Sequence, residues 1–372
     1  MMYLDNGATS FYKPAAVHRA VLHAMKTCAN PGRGGYKAAM TAGDGVYRCR
    51  EEAAALFSCR PEQAVFTSNC THSLNIALRS LISPGEKVLI SGFEHNAVTR
   101  TLTMLGCRMQ IAGRKLFDWE DTLTEFDRCL KEKPAAAVFT HVSNAFGYIL
   151  PVEELAALCR SRGVPFVVDA AQSAGAIPVS LEKLGADFIA MPGHKGLLGP
   201  QGTGILLCAG EVRPFMAGGT GSESRQQRMP EFLPDRLEAG TLNVPGICGL
   251  AEGIRHVRRL GVETIGRREA EAAKVCARML KNHGYRVFSG ENQGGTVSFV
   301  PDMDCEELAQ QLGDRGVAVR AGLHCAPLAH ESAGTLETGT VRASFGWDAS
   351  PGQVAELDRI LREIRLRKVK KL

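Results

Sequence analysis

The stretch PFVVDAA, residues 165–171, runs apolar until it meets a single carboxylate, Asp169. An apolar run of this length without alternation reads as a strand covered on both faces, the kind that lies in a parallel sheet between helices. Outward from it, AVFTS (64–68), KVLIS (87–91), AAVFTHVS (136–143), DFIAM (187–191) and GILLC (204–208) repeat the pattern. Helical stretches separate them, among them 72–82 and 152–162, the second closed by Gly163 and Pro165. Strands alternating with helices predict an α/β fold with a mainly parallel sheet. After about residue 245 the character changes. Two long helical patterns over roughly 247–284 lead to GGTVSFV, GVAVRA and GTVRASF, and a last helix begins near Pro351. The chain therefore divides into a large α/β domain over 1–245 and a smaller α+β domain over 246–372.

Of 372 residues, 45% are hydrophobic and 22% charged, the balance of an ordinary globular chain. The net charge is +5, and much of the excess sits in LREIRLRKVKKL (361–372), which reads as a solvated helix face. No basic stripe with interleaved aromatics points to nucleic acid. MMYLDNGATS lacks the apolar centre of a signal peptide, and no run of about 18 apolar residues suggests a membrane span. The expected compartment is the cytoplasm. Twelve cysteines are scattered singly, with no CxxC pair. They read as reduced thiols, of which one or two at most are chemically active.

Ligands of open α/β sheets sit beyond the carboxyl ends of the strands. Two groups stand there. Asp169 is followed by Gln172; a carboxylate at a buried strand end needs a cationic partner. AMPGHKGLLGPQGTG (190–204) then sets Lys195 among five glycines, which leave the backbone free for a close approach by a flat ring and a phosphate. Taken singly, the first is a helix cap or ion pair and the second a solvated turn. Together, an acid for a pyridinium nitrogen and a lysine that bonds to the cofactor mark a pyridoxal phosphate enzyme.

Eight segments carry a resemblance over nearly the whole chain: YLDNGATS, EHNAV, THVSNAFG, DAAQS, GHKGLLGPQGTG, EAGTLN, RAGLHCAP and VRASF. In this order and spacing they resemble the class V aminotransferase group of pyridoxal phosphate enzymes, and within it the cysteine desulfurases and selenocysteine lyases. The resemblance implies a fold-type-I transferase with a mainly parallel seven-stranded sheet in the large domain. It implies that Lys195 bonds to the cofactor, that Asp169 keeps the ring nitrogen protonated, and that Gln172 and Asn144 bond the ring oxygen. His95 would stack on the ring. Cys70, Thr71 and His72, at a helix start, would receive the phosphate, with His194 adding a contact beside the lysine. Thr241 would reach the phosphate in a second subunit, which implies a homodimer.

Cys325, in RAGLHCAPLAH, would attack the substrate's sulfur and become a persulfide. Cationic neighbours, His324 beside it and Arg320 five residues before it, would lower its pKa. Arg342 would bind the substrate's α-carboxylate in a two-pronged bridge, with Arg320 and Asn144 as further substrate contacts. The implied activity is a cysteine desulfurase that turns L-cysteine into L-alanine and passes its sulfur to an acceptor protein. The alternatives are a selenocysteine lyase, or an aminotransferase or other lyase in which Cys325 takes no part. No metal is expected, since His324, Cys325 and His330 lack a fourth ligand. Two departures concern the phosphate: Pro192 stands where relatives commonly have a serine, and Cys70 and His72 replace a threonine and an acid.

Overall fold

The computed structural model describes residues 1–32 and 34–369. Seven strands form the main sheet, side by side as Ala64–Thr67, Gly204–Cys208, Phe188–Pro192, Phe166–Asp169, Ala136–Thr140, Lys87–Ser91 and Arg108–Ala112. Gly204–Cys208 runs antiparallel to both neighbours, and the other six share one direction. The five apolar central strands are buried along nearly their whole length, as parallel strands under helices must be. Arg108–Ala112 was not among the expected strands. It pairs on one side only and exposes Arg108 and Met109, so it shows no unbroken apolar run.

Local capping sets the helix ends. The helix Val152–Arg162 lies where expected and stops at Gly163, whose φ of 64° is left-handed. The helix Cys70–Leu81 starts two residues earlier than the pattern suggested, because the Asn69 side chain accepts from His72 N and caps it.

A four-stranded antiparallel sheet builds the second layer: Arg320–Gly322, Thr340–Ser344, Thr296–Val300 and Arg286–Phe288 in order. Cys276, Leu280, Val297, Phe299, Leu308, Val341 and Leu361 form its core with three helices. The division at 245 is shifted by two packing facts. The helix Val244–Leu260 buries Val244, Ile247, Leu250 and Ile254 in the core of the main sheet. Met2–Tyr3 pairs with Val317–Ala318, and Leu4 lies in the smaller core, so the first residues join the C-terminal layer. No helix among the described residues is long and apolar enough to cross a membrane.

One buried ion pair anchors the segment after the last sheet strand. Glu238 accepts from Arg50 Nη1 at 2.9 Å and from Phe66 N at 2.6 Å. With the backbone donor in place, the carboxylate is satisfied and its burial is tolerable.

Candidate active site

Asp169 ends its strand 2% exposed, and its Oδ1 accepts from Ala171 N at 2.9 Å and from the Cys70 thiol at 3.5 Å. The loop carrying Lys195 is packed directly against the turn after Asp169. A Cβ at Gly196 would stand 2.4 Å from Ala174 O, and one at Gly175 would stand 2.3 Å from Gly196 O. These glycines thus serve backbone-to-backbone packing of the two loops, where the sequence suggested room for a ligand. Lys195 is half-buried, and its side-chain amine has no hydrogen-bond partner among the described residues, while its backbone oxygen accepts from Leu198 N at 2.9 Å. Burial lowers its pKa; Cys70 and Asp169 oppose that shift, and Arg342 and Arg320 add to it.

His95 caps the helix Asn96–Met104, its Nδ1 accepting from Ala97 N at 3.0 Å. The neutral ring then carries its proton on Nε2, and burial favours that neutral form. The next amide, Asn96 N, donates to Cys325 O at 2.8 Å. One helix start therefore holds both His95 and the Cys325 loop. His324 and Cys325 have φ of 52° and 56°, a left-handed pair that side chains other than glycine rarely adopt. Asn144 Nδ2 fixes the loop by donating to His324 O at 2.7 Å, and the His324 ring meets Thr340 Oγ1 at 3.0 Å. Cys325 is the one exposed cysteine of the twelve. Burial pushes His324 down to about 2, so it is neutral and brings no positive charge to the neighbouring thiol, contrary to expectation.

Arg342 is 2% exposed and reaches two acceptors: Nη2 to Asp5 Oδ1 at 2.7 Å and Nη1 to Asn144 O at 2.8 Å. Its Nε is buried without a partner. Arg320 lies on the same carboxylate, with Nη2 2.9 Å and Nε 3.1 Å from Asp5 Oδ2.

The profile of the family "Aminotransferase class-V" matches residues 2–357. The chain belongs to the aminotransferase class-V family. The protein named "Probable cysteine desulfurase" in Methanothermobacter thermautotrophicus is 32% identical over 98% of this chain and 94% of its own length. One of the same name in Pyrococcus abyssi is 33% identical over 93% and 89%. The apo structure of a cysteine desulfurase from Thermococcus onnurineus NA1 superposes with a TM-score of 0.90 at 32% identity, covering 100% of this chain and 95% of that one.

Membership of the aminotransferase class-V family implies pyridoxal phosphate as cofactor, and the residues fit it. Among the described residues the Lys195 amine has no partner, and Asp169 keeps Oδ2 without one. The helix at Cys70 presents the N–H groups of Cys70 and Thr71, which no acceptor among the described residues takes, and Thr71 is exposed. Such a helix start suits an anion.

Three side chains expected near the phosphate hold other partners in this structure. The Cys70 side chain is spent on Asp169, leaving only its backbone for an anion. His72 Nδ1 faces Ser68 Oγ at 3.3 Å, and burial lowers its pKa, so it supplies no fixed positive charge. His194 turns to the N-terminal segment, Nδ1 on Thr9 Oγ1 at 3.0 Å, and is held neutral at about 4 by burial, with Lys195 and Lys13 adding to the shift. Gln172 is likewise engaged, donating to Gly7 O at 2.9 Å. Thr241 lies exposed before the helix Val244–Leu260.

Two acids were missed. Asp5 stands in the first quoted segment, but a lone aspartate there carries no signal of two arginines arriving from the far end of the chain. Glu94, 0% exposed beside His95, accepts on Oε1 from Ser91 Oγ and from Thr140 N at 2.9 Å, while Oε2 is buried without a partner. Burial pushes its carboxyl from the ordinary 4.5 to about 8, against the hydrogen bonds from Ser91 and Thr140. The native state thus holds this proton more tightly than the unfolded chain. The associated stability is full below about pH 4.5 and is lost as pH rises through about 8. Between pH 6.5 and 8 Glu94→Gln should remove a fall on the order of 2 kcal/mol. Urea unfolding of both proteins at the two pH values checks this; equal slopes would show that Glu94 is already ionised.

Proposed function

We propose that the chain is a pyridoxal phosphate-dependent cysteine desulfurase that converts L-cysteine to L-alanine and keeps the sulfur as a persulfide on Cys325. The observation that carries this reading is the placement of Cys325. It is the exposed thiol, on a left-handed loop pinned to the helix start of His95 and tied through Asn144 to Arg342. A thiol so held is a nucleophile presented to a bound substrate, not a core side chain. Relatives bearing the desulfurase name over nearly the full length support it.

When bound, the cofactor supplies an electron sink at the substrate's Cα and a covalent tether to Lys195. The chain's own groups do the rest. Asp169 would keep a proton on the ring nitrogen, His95 would cover the ring, and Thr71 with the amides of Cys70 and Thr71 would take the phosphate. Arg342 and Arg320 receive the α-carboxylate, and Lys195 moves the proton at Cα. The Cys325 thiolate attacks the substrate's sulfur; an S–S bond forms as the Cβ–S bond breaks, the electron pair left on Cβ takes up a proton, Cα regains its own, and alanine leaves. An acceptor protein then takes the sulfane sulfur. With all twelve cysteines free, the reading includes a reducing cytoplasm. The test is purified protein with cysteine, selenocysteine and keto acids, measuring alanine and sulfide. Amino-group exchange with keto acids and no alanine from either amino acid would replace this reading with an aminotransferase.

The reading also includes a homodimer in which Thr241 reaches the partner's phosphate. Leu22, Met25, Met40, Tyr47, Phe215 and Met216 are each at least 45% exposed, apolar surface of the kind a second copy covers. Sedimentation across concentration should show a dimer, and Thr241→Val should loosen the cofactor. A stable monomer with full cofactor occupancy would contradict this.

A further inference from the structure

We propose that Asp5 sets the charge specificity of the substrate site, cancelling one of two guanidinium charges so that the pair accepts one carboxylate and disfavours dianions. The inference rests on the reading that Arg342 and Arg320 receive the substrate's carboxylate. Three observations carry it. A single carboxylate, 9% exposed, bridges both arginines, with Oδ1 on Arg342 and Oδ2 on Arg320. Arg342 Nε remains buried and unpartnered, so the guanidinium has donor capacity that Asp5 does not use. The N-terminal segment is shaped for this contact: a Cβ at Gly7 would stand 3.2 Å from Arg342 Cζ, and Asp5 bridges to Ser344 through its backbone.

Arginine stays protonated in any protein environment, so the three groups sum to one positive charge. His324 beside them is neutral. One incoming carboxylate balances that charge between Arg342, which is 2% exposed, and Arg320, which is 48% exposed. A dianion leaves one negative charge uncompensated and brings it near Asp5, which is costly beside the buried Arg342–Asp5 pair. Without the Asp5 charge the pair carries two positive charges, and the dianion becomes the matched ligand.

The test uses holoenzyme and calorimetric binding of propionate and succinate, the second carrying one more carboxylate. Wild type should bind succinate no more tightly than propionate. In Asp5→Asn the succinate-to-propionate affinity ratio should rise by about tenfold or more. Asp5→Glu, which keeps the charge, should restore the wild-type ratio, a rescue that a purely structural role does not predict. Arg320→Gln should move the ratio the other way, and it decides the matter if Asp5→Asn does not fold. A ratio unchanged in both Asp5→Asn and Arg320→Gln overturns the proposal. Because binding needs no turnover, a protein that shifts the ratio yet never releases alanine upholds the charge role and sinks the desulfurase reading. One that makes alanine with an unmoved ratio does the reverse.

Discussion

Replacing Cys325 by alanine is expected to lower alanine release from cysteine by about 10³-fold or more, the scale on which loss of a nucleophile is felt, while selenocysteine turnover largely persists. The asymmetry comes from the leaving atom. A thiolate departs reluctantly from carbon, so desulfuration needs a nucleophile to take the sulfur. The carbon–selenium bond is weaker and selenium leaves more readily, so its loss depends less on attack. The protein should otherwise be intact, because the loop is fixed by backbone groups: Asn96 N on Cys325 O and Asn144 on His324 O. Removal of an exposed side chain leaves those bonds in place. Alanine, sulfide and selenide measured side by side decide the matter. Wild-type desulfuration by the variant would mean that another group is the nucleophile.

Lys195→Ala should abolish turnover and covalent cofactor retention together, giving a colourless protein with near-normal thermal stability. Stability is preserved because the Lys195 side chain makes no hydrogen bond among the described residues, its backbone bond from Leu198 N survives, and the packing of its loop runs through Gly175, Gly196 and Ala174. Borohydride reduction of wild type should leave the label on Lys195. The instructive rival is Lys13, which burial pushes down to about 8. Its ammonium is spent on three acceptors, Ser10 O, Ser10 Oγ and His194 O, at 2.6 to 3.0 Å. A label on Lys13 by mass spectrometry would reassign the cofactor's anchor.

The order of chemistry along the chain was legible wherever a buried strand ended in a polar residue. Asp169 and Lys195 are found that way, since apolar runs mark the sheet and ligand groups follow its carboxyl ends, whereas His95 comes only with the family resemblance. The Arg108–Ala112 strand escaped because an edge strand shows water one side and carries no apolar run. Charge states escaped for another reason. His324 looks like a cation in sequence, yet burial makes it neutral, as it does His194, and lowers the pKa of His72, and burial is a property of packing alone. Cys70 illustrates the same limit: a residue at a helix start offers a backbone to one neighbour and a side chain to another, here Asp169. Asp5 was invisible because its partners enter from distant parts of the chain.

That distance has a consequence for the order of assembly. Asp5 and Arg342 are 337 residues apart, and the Gly7 amide meets Ser344 across an equal gap. Closing so long a loop is entropically slow and is rewarded only after both partners' layers exist. The main sheet, whose seven strands all lie between residues 64 and 208, can form while Asp5 still waits. During synthesis the carboxylate pocket is therefore among the last features to appear, after the Lys195 loop and the helix at Cys70 are in place. Maturation should run from sheet, to cofactor cradle, to substrate pocket.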